Sequence, residues 1–234
     1  MKKLLLSVYF LLFTFYFSYA QTVIYTEDFE TTYPGWQLNT TDLGGDNSLS
    51  DNQWIVNNEY VSGGFFTNTP TEPAGIPNNP TGYYLHIYSD VAFGIDGSLN
   101  DIFDAAGQNS YFAMDSVLHT VGYTSVSLSF WWICQGNSNN AYGEVYYRTS
   151  AAGTWTALNN PLTSQPKFNL HGSSWVQATI TDTAFDNKSY LQFGFRFRHA
   201  SSGNDPAFGV DHVVVNGTST PPPPPPVANF SYSP

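Results

Sequence analysis

The chain has 234 residues, of which 41% are hydrophobic, 17% aromatic and only 11% charged; seven lysines and arginines oppose 18 acids, for a formal charge of −11. Such a surface repels phosphate backbones, which argues against nucleic acid as a partner, and it attracts cations. A single cysteine, Cys134, excludes an internal disulfide; in the apolar run Phe130-Trp131-Trp132-Ile133-Cys134 it reads as a buried core thiol.

Residues 1–20 carry the marks of a signal peptide. Lys2 and Lys3 form a basic start, Leu4 to Phe17 an apolar run, and Ser18-Tyr19-Ala20 a small-residue site for cleavage before Gln21. No cysteine follows the cut to carry a lipid, and no membrane span is expected in the mature chain. About 200 residues then remain, enough for one sizeable core burying roughly 70% of the surface of the unfolded chain.

Strand signals separated by turn residues fill that length. Val23 to Phe29 opens the domain, and Asn52 to Tyr60 follows a polar stretch from Asn39 to Asp51. From Ser62 to Gly82, Pro70, Pro73, Pro77 and Pro80 preclude a regular ladder, and Phe65 and Phe66 are expected to fold back over the sandwich. Tyr83 to Tyr88 resumes as strand, and Asp90 to Gly107 is a connection with a helical turn at Leu99 to Ala105.

Ser110 to Met114 and Ser125 to Cys134 read as strands, the latter with Val126, Leu128, Phe130 and Trp132 on one face. Gly143 to Thr149 and Thr154 to Leu158 form a hairpin around Ser150-Ala151-Ala152-Gly153. Trp175 to Ile180 is the next strand. In Tyr190 to His199, Leu191, Phe193, Phe195 and Phe197 point one way and Gln192, Gly194, Arg196 and Arg198 the other. Phe208 to Val215 closes a fold without long helices. The expected class is therefore all-β, a two-sheet antiparallel jelly-roll sandwich over residues 21–217. The composition then changes to a proline-rich linker, residues 218–226, with its six prolines acting as a semi-rigid spacer.

The first and last strands of such sandwiches commonly lie side by side. That places Glu30, from EDFE at Glu27 to Glu30, and Asp211, from FGVDHVVV at Phe208 to Val215, where they can share one hard cation. Catalytic signals are wanting. Glu59 and Glu144 stand alone rather than as the paired carboxylates of glycoside hydrolysis, the five histidines have no short metal-ligand spacing, and no serine lies in a GxSxG elbow. The expectation is a non-enzyme. Aromatic rings with Asn, Asp and Gln suit sugar binding, with Tyr83, Tyr84, Tyr88, Tyr142 and Trp155 as platform candidates, although packing calls on the same rings.

EDFE, Pro34-Gly35-Trp36, Asp51-Asn52-Gln53-Trp54, Leu128 to Trp132, Glu144 to Leu158 and Phe208 to Val215, in that order, resemble the jelly-roll surface modules of Bacteroidetes, related to cleaved-adhesin and more distantly MAM domains. The resemblance implies a calcium ion held by Glu30 and Asp211 with one or more of Asp46, Asp51 and Asn52; the second acid usual in the final strand is His212 here. Residues 227–234, within Pro226 to Pro234, resemble the first strand of a PKD domain. Asp115-Ser116-Val117 and Asp182-Thr183-Ala184 resemble an O-glycosylation acceptor of the same group of exported proteins. What the resemblance implies is a secreted or outer-surface module, in a multidomain protein carried by type IX secretion, that recognises a glycan or a surface protein. The other reading is an accessory module of a larger exported protease or glycosidase.

Overall fold

The computed structural model describes residues 21–33, 35–44, 53–61, 67–88, 109–114, 116–199 and 204–220. The leader, the linker, the PKD-like segment, Phe65, Phe66 and the turn expected at Leu99 to Ala105 lie outside them. Eleven strands are formed by the described residues: β1 (Gln21–Glu27), β2 (Trp36–Gln37), β3 (Gln53–Asn57), β4 (Tyr84–Tyr88), β5 (Asn109–Met114), β6 (Tyr123–Cys134), β7 (Ala141–Arg148), β8 (Thr156–Leu158), β9 (His171–Thr181), β10 (Gln192–His199) and β11 (Gly209–Ser219). They make two antiparallel sheets, the all-β jelly-roll sandwich expected of the alternation. One sheet runs β3-β4-β11-β6-β9 with β1 also on β11, and the other runs β2-β5-β10-β7-β8.

Alternating apolar residues turn both sheets inward. Val126, Leu128, Phe130 and Trp132 on β6 face Val145 on β7 and Phe193, Phe195 and Phe197 on β10, all fully or almost fully buried. The rings interlock edge to face, with Phe195 against Phe130 at 5.2 Å and Trp132 against Phe168 at 5.2 Å between centroids. Gly143 is required by this packing, because a Cβ there would stand inside the ring of Phe208 from the opposite sheet. Cys134 is buried, as the apolar run implies, and burial pushes its thiol well above the ordinary range.

Two details depart from the strand signals. Trp36–Gln37 forms a two-residue strand on β5 that no periodicity could reveal. The final strand also continues past Gly217, since Thr218 and Ser219 pair with β6 and Thr220 N–H donates to the Gly122 carbonyl at 2.8 Å. Hydroxyl residues at a composition break read as linker, yet β-branched threonine suits a strand, and Thr218 is paired on both sides, with Gln21 and Thr124.

The proline-bearing loop lies over the outer face of the larger sheet. Ile76, Tyr60 and Tyr84 pack there with Ile133 and Trp175 in a second, smaller core, and Trp175 Nε1 donates to the Pro70 carbonyl at 2.8 Å. Gly75 makes room for the Trp131 ring, which occupies the place of a Cβ. This loop positions the site described next.

Candidate functional site

β1 and β4 share one side of β11, end to end: Gly209 and Val210 pair with β4, and Val213 onward pairs with β1, Glu27 standing opposite Val213. Asp211 and His212 fall at the junction. There β11 carries an extra residue relative to β6, a bulge between Asp211 and Val214, and His212 takes a left-handed backbone (φ 46°). Bulges re-aim side chains. Val210, Val213 and Val215 remain in the core, while Asp211, paired across the sheet with Trp131, faces the proline-bearing loop.

That loop brings a third acid, Glu72. Its carboxylate accepts from Tyr60 Oη through one oxygen and from Gly82 N–H (3.1 Å) through the other. Glu30 accepts from Tyr83 N–H at 2.9 Å. A Cβ on Gly82 would collide with Glu30 Oε1 and lie 3.0 Å from Glu72 Oε2, so both oxygens border the space of a single methyl group. Asp211 is fully buried; one oxygen accepts from His212 N–H (2.6 Å), and its carboxyl is also within side-chain hydrogen-bonding reach of Glu72.

Three carboxylates thus crowd together, and among the described residues none of them is in an ion pair. The electrostatics follow. Burial first, and then the Glu72 carboxylate, push Asp211 up to about 9, with Glu30 adding to the rise. Glu30 is itself raised, by burial first and then by Glu72 and Asp28 against the N–H of Tyr83. Among the described residues no group of three or more His, Cys, Asp or Glu side chains is placed so that it could hold a metal ion. Glu72 and Asp211 are buried and Glu30 is half-buried, so the three form a cradle of hard oxygen donors.

Of the expected ligands, Glu30 and Asp211 are brought to this cradle, and Asp46, Asp51 and Asn52 lie outside the described residues. Glu72 was missed. It sits in a stretch read only as a proline loop, where a lone acid between Pro70 and Pro73 carries no periodicity to mark it. His212 contributes its backbone N–H to Asp211, and its buried Nδ1 has no hydrogen-bond partner among the described residues.

The aromatic candidates separate. Tyr83 is 43% exposed beside the acidic cradle, while Tyr84 is buried in the smaller core with its hydroxyl donating to the Glu59 carbonyl at 2.6 Å, so it offers no ring to solvent. Tyr88 ends β4, its ring edge-on to His86 at 6.4 Å. Tyr142 and Trp155 belong to the outer face of the five-stranded sheet, but Tyr142 is buried beneath Lys167 (4.7 Å from cation to ring centroid) and so offers no open ring, and Trp155 is half-buried beneath Arg148 (4.6 Å). In the acceptor-like triplet Asp182-Thr183-Ala184, Asp182 caps a one-turn 3-10 helix, Thr183–Phe185, by accepting from Ala184 N–H.

No protein-family model matches the chain, and no curated protein matches it. Among solved structures it is similar to the K3 cleaved adhesin domain of Lys-gingipain from Porphyromonas gingivalis, at 17% identity over 84% of this chain and 99% of that one, TM-score 0.45. It is similar also to the CBM22-1 xylan-binding domain of Paenibacillus barcinonensis Xyn10C (11% identity, 87% and 99% covered, TM-score 0.47) and to the Stig cyclase Fisc of Fischerella sp. (14%, 86% and 100%, TM-score 0.48). At such identities no ligand or activity carries over from them.

Proposed function

We propose that the chain is a non-catalytic, calcium-stabilised binding module of an exported or surface protein. The observation that carries this reading is the meeting of Glu30, Glu72 and Asp211 where the first strand, the last strand and the proline-bearing loop come together. Like charges held this close out of water destabilise the fold unless they take up protons or a cation. A calcium ion would offset their repulsion and tie both ends of the domain to the loop, which makes the metal's contribution one of folding rather than of Lewis-acid chemistry. Glycan or protein recognition would then fall to other surfaces.

Thermal unfolding of the chain from Gln21 with calcium and with chelator tests this. At calcium about a hundredfold above Kd, the gain of about 2.7 kcal/mol corresponds to about 5 to 10 °C in Tm. Asp211→Asn, which keeps the side-chain volume, is expected to remove the shift, and Glu30→Gln to shrink it. Identical curves with and without chelator would remove the metal from the account.

A further inference from the structure

Among the described residues five strands have an open side, β1, β3 and β9 in the larger sheet and β2 and β8 in the smaller. An open side presents unpaired backbone N–H and C=O groups to which another strand can add. Four of the five offer little. β2 and β8 have two and three residues, and β1 is broken by a bulge at Ile24. β3 is closed at Trp54 by a side chain: Asn39 Oδ1 accepts from the Trp54 N–H at 2.7 Å and Asn39 Nδ2 donates to the Trp54 carbonyl at 3.0 Å, the two bonds a neighbouring strand would make.

β9 differs, with eleven residues. Its start is irregular against β6, but Val176 to Thr181 pair one for one with Trp132 to Ser127. In an antiparallel ladder alternate residues turn both backbone groups away from the neighbour. From Val176 to Thr181 none of the groups so turned has a partner among the described residues. Gln177, Thr179 and Thr181 are exposed, and this stretch has no lysine, proline or bulge of the kind that keeps an edge from pairing.

The edge is also uncharged in a chain of formal charge −11. No Asp, Glu, Lys or Arg falls between Lys167 and Asp182, and Asp182 turns back to accept from Ala184 N–H at 2.8 Å. Two copies can therefore meet along β9 with no opposing charges at the seam, the rest of their charge being screened over about 8 Å at physiological ionic strength. The residues are self-complementary. Val176 and Ile180 face the core yet are only partly buried, and they stand two positions either side of Ala178. With Ala178 on a two-fold axis, Val176 of one copy lies opposite Ile180 of the other, each covering the other's open flank, and on the outer face Gln177 lies opposite Thr179.

We infer that β9 is a dimerisation edge, pairing antiparallel with β9 of a second copy of this chain and joining the two larger sheets into one. A foreign segment could make the same backbone bonds, but β9 itself supplies both halves of the Val176 to Ile180 match about one axis. A seam as short as Val176 to Thr181 buries little surface, so the dimer is reversible and forms as concentration rises. Nothing in this pairing draws on Glu30, Glu72 or Asp211, so it stands or falls apart from the calcium site.

Sedimentation velocity of the chain from Gln21, with calcium and at physiological salt, tests the inference. The weight-average mass is expected to climb from that of one chain toward twice that value between low micromolar and high micromolar concentration. Gln177→Lys with Thr179→Lys sets like charges opposite each other twice across the axis. It is expected to raise the dimer Kd about tenfold, with the Tm of the dilute chain unchanged because both side chains are exposed. Gln177→Glu with Thr179→Glu is expected to do the same, and an equimolar mixture of the two double variants to regain the dimer, since opposite charges then meet. Thr156→Lys with Ala157→Lys, on the β8 edge, is expected to leave Kd within about twofold. A chain that stays monomeric at every concentration would overturn the inference and leave the edge to a segment of another protein. So would a dimer that tolerates both charged pairs, one weakened equally by the β8 changes, or a mixture that remains monomeric.

Discussion

The outer faces of the two sheets handle charge in opposite ways. Under the proline-bearing loop, the carboxyl groups of Glu30, Glu72 and Asp211 meet with no cation among the described residues beside them, accepting from N–H groups and the Tyr60 hydroxyl. Across the sandwich, Arg148, Arg196 and Lys167 are each laid on an aromatic ring, and Arg196 has a carboxylate in contact. The first arrangement has no ion pair among the described residues, so its stability depends on protonation. The second is already compensated, because Glu144 and Asp42 pair with Arg196 and Arg148.

The comparison breaks most sharply at Glu144. Glu144→Ala leaves the Arg196 guanidinium, 12% exposed in its side chain, without its carboxylate, and the expected loss is about 3 kcal/mol in denaturant unfolding; a loss below about 1 kcal/mol would show that the cationic face needs no compensation. Next comes Gly143→Ala, which sets a methyl against the Phe208 ring and is expected to cost about 1 to 3 kcal/mol by overpacking, measured in the same way.

The acidic cradle has its own pH signature. Folded Asp211 keeps its proton up to about 9, whereas unfolded aspartate releases it near 3.9. Between those values the folded state binds more protons, so in chelator this group's contribution, complete below the lower value, is lost as pH rises through the higher one. The unfolding midpoint in chelator is therefore expected to fall from pH 5 to pH 9, and calcium, which prefers the ionised carboxylates, to flatten the fall. Asp211→Asn should flatten it without calcium. A midpoint rising over that range in chelator would contradict the burial of Asp211. The smallest effect is expected from Asp42→Asn, whose contact with Arg148 spans 3.9 Å at the rim: a change within about 0.5 kcal/mol, detectable only by paired melts.

Much of the fold was legible because a strand's period of two is a local property. Leu191 to Arg198 showed which side chains enter the core, and Arg196 and Arg198 could be placed on the opposite face without coordinates. The hairpin around Ser150 to Gly153 was equally plain. Trp36–Gln37 was not, since two residues show no period, and neither was the extension of the last strand beyond Gly217. At the candidate site, Glu30 and Asp211 were legible through the habit of first and last strands to pair. Glu72 was invisible, because its burial depends on how a loop without periodicity settles on Trp131, Ile133 and Trp175.

By itself the order of residues determined the all-β class, the buried thiol and the inward and outward faces of the long strands, for each depends on neighbours a few positions away. Only the tertiary structure decided which outward faces became neighbours. Pairing of β7 with β10 gathered cations separated by about 50 residues along the chain into one row. The bulge at His212 turned Asp211 toward a loop acid 139 positions earlier, and no local pattern records a contact made by folding between segments so far apart.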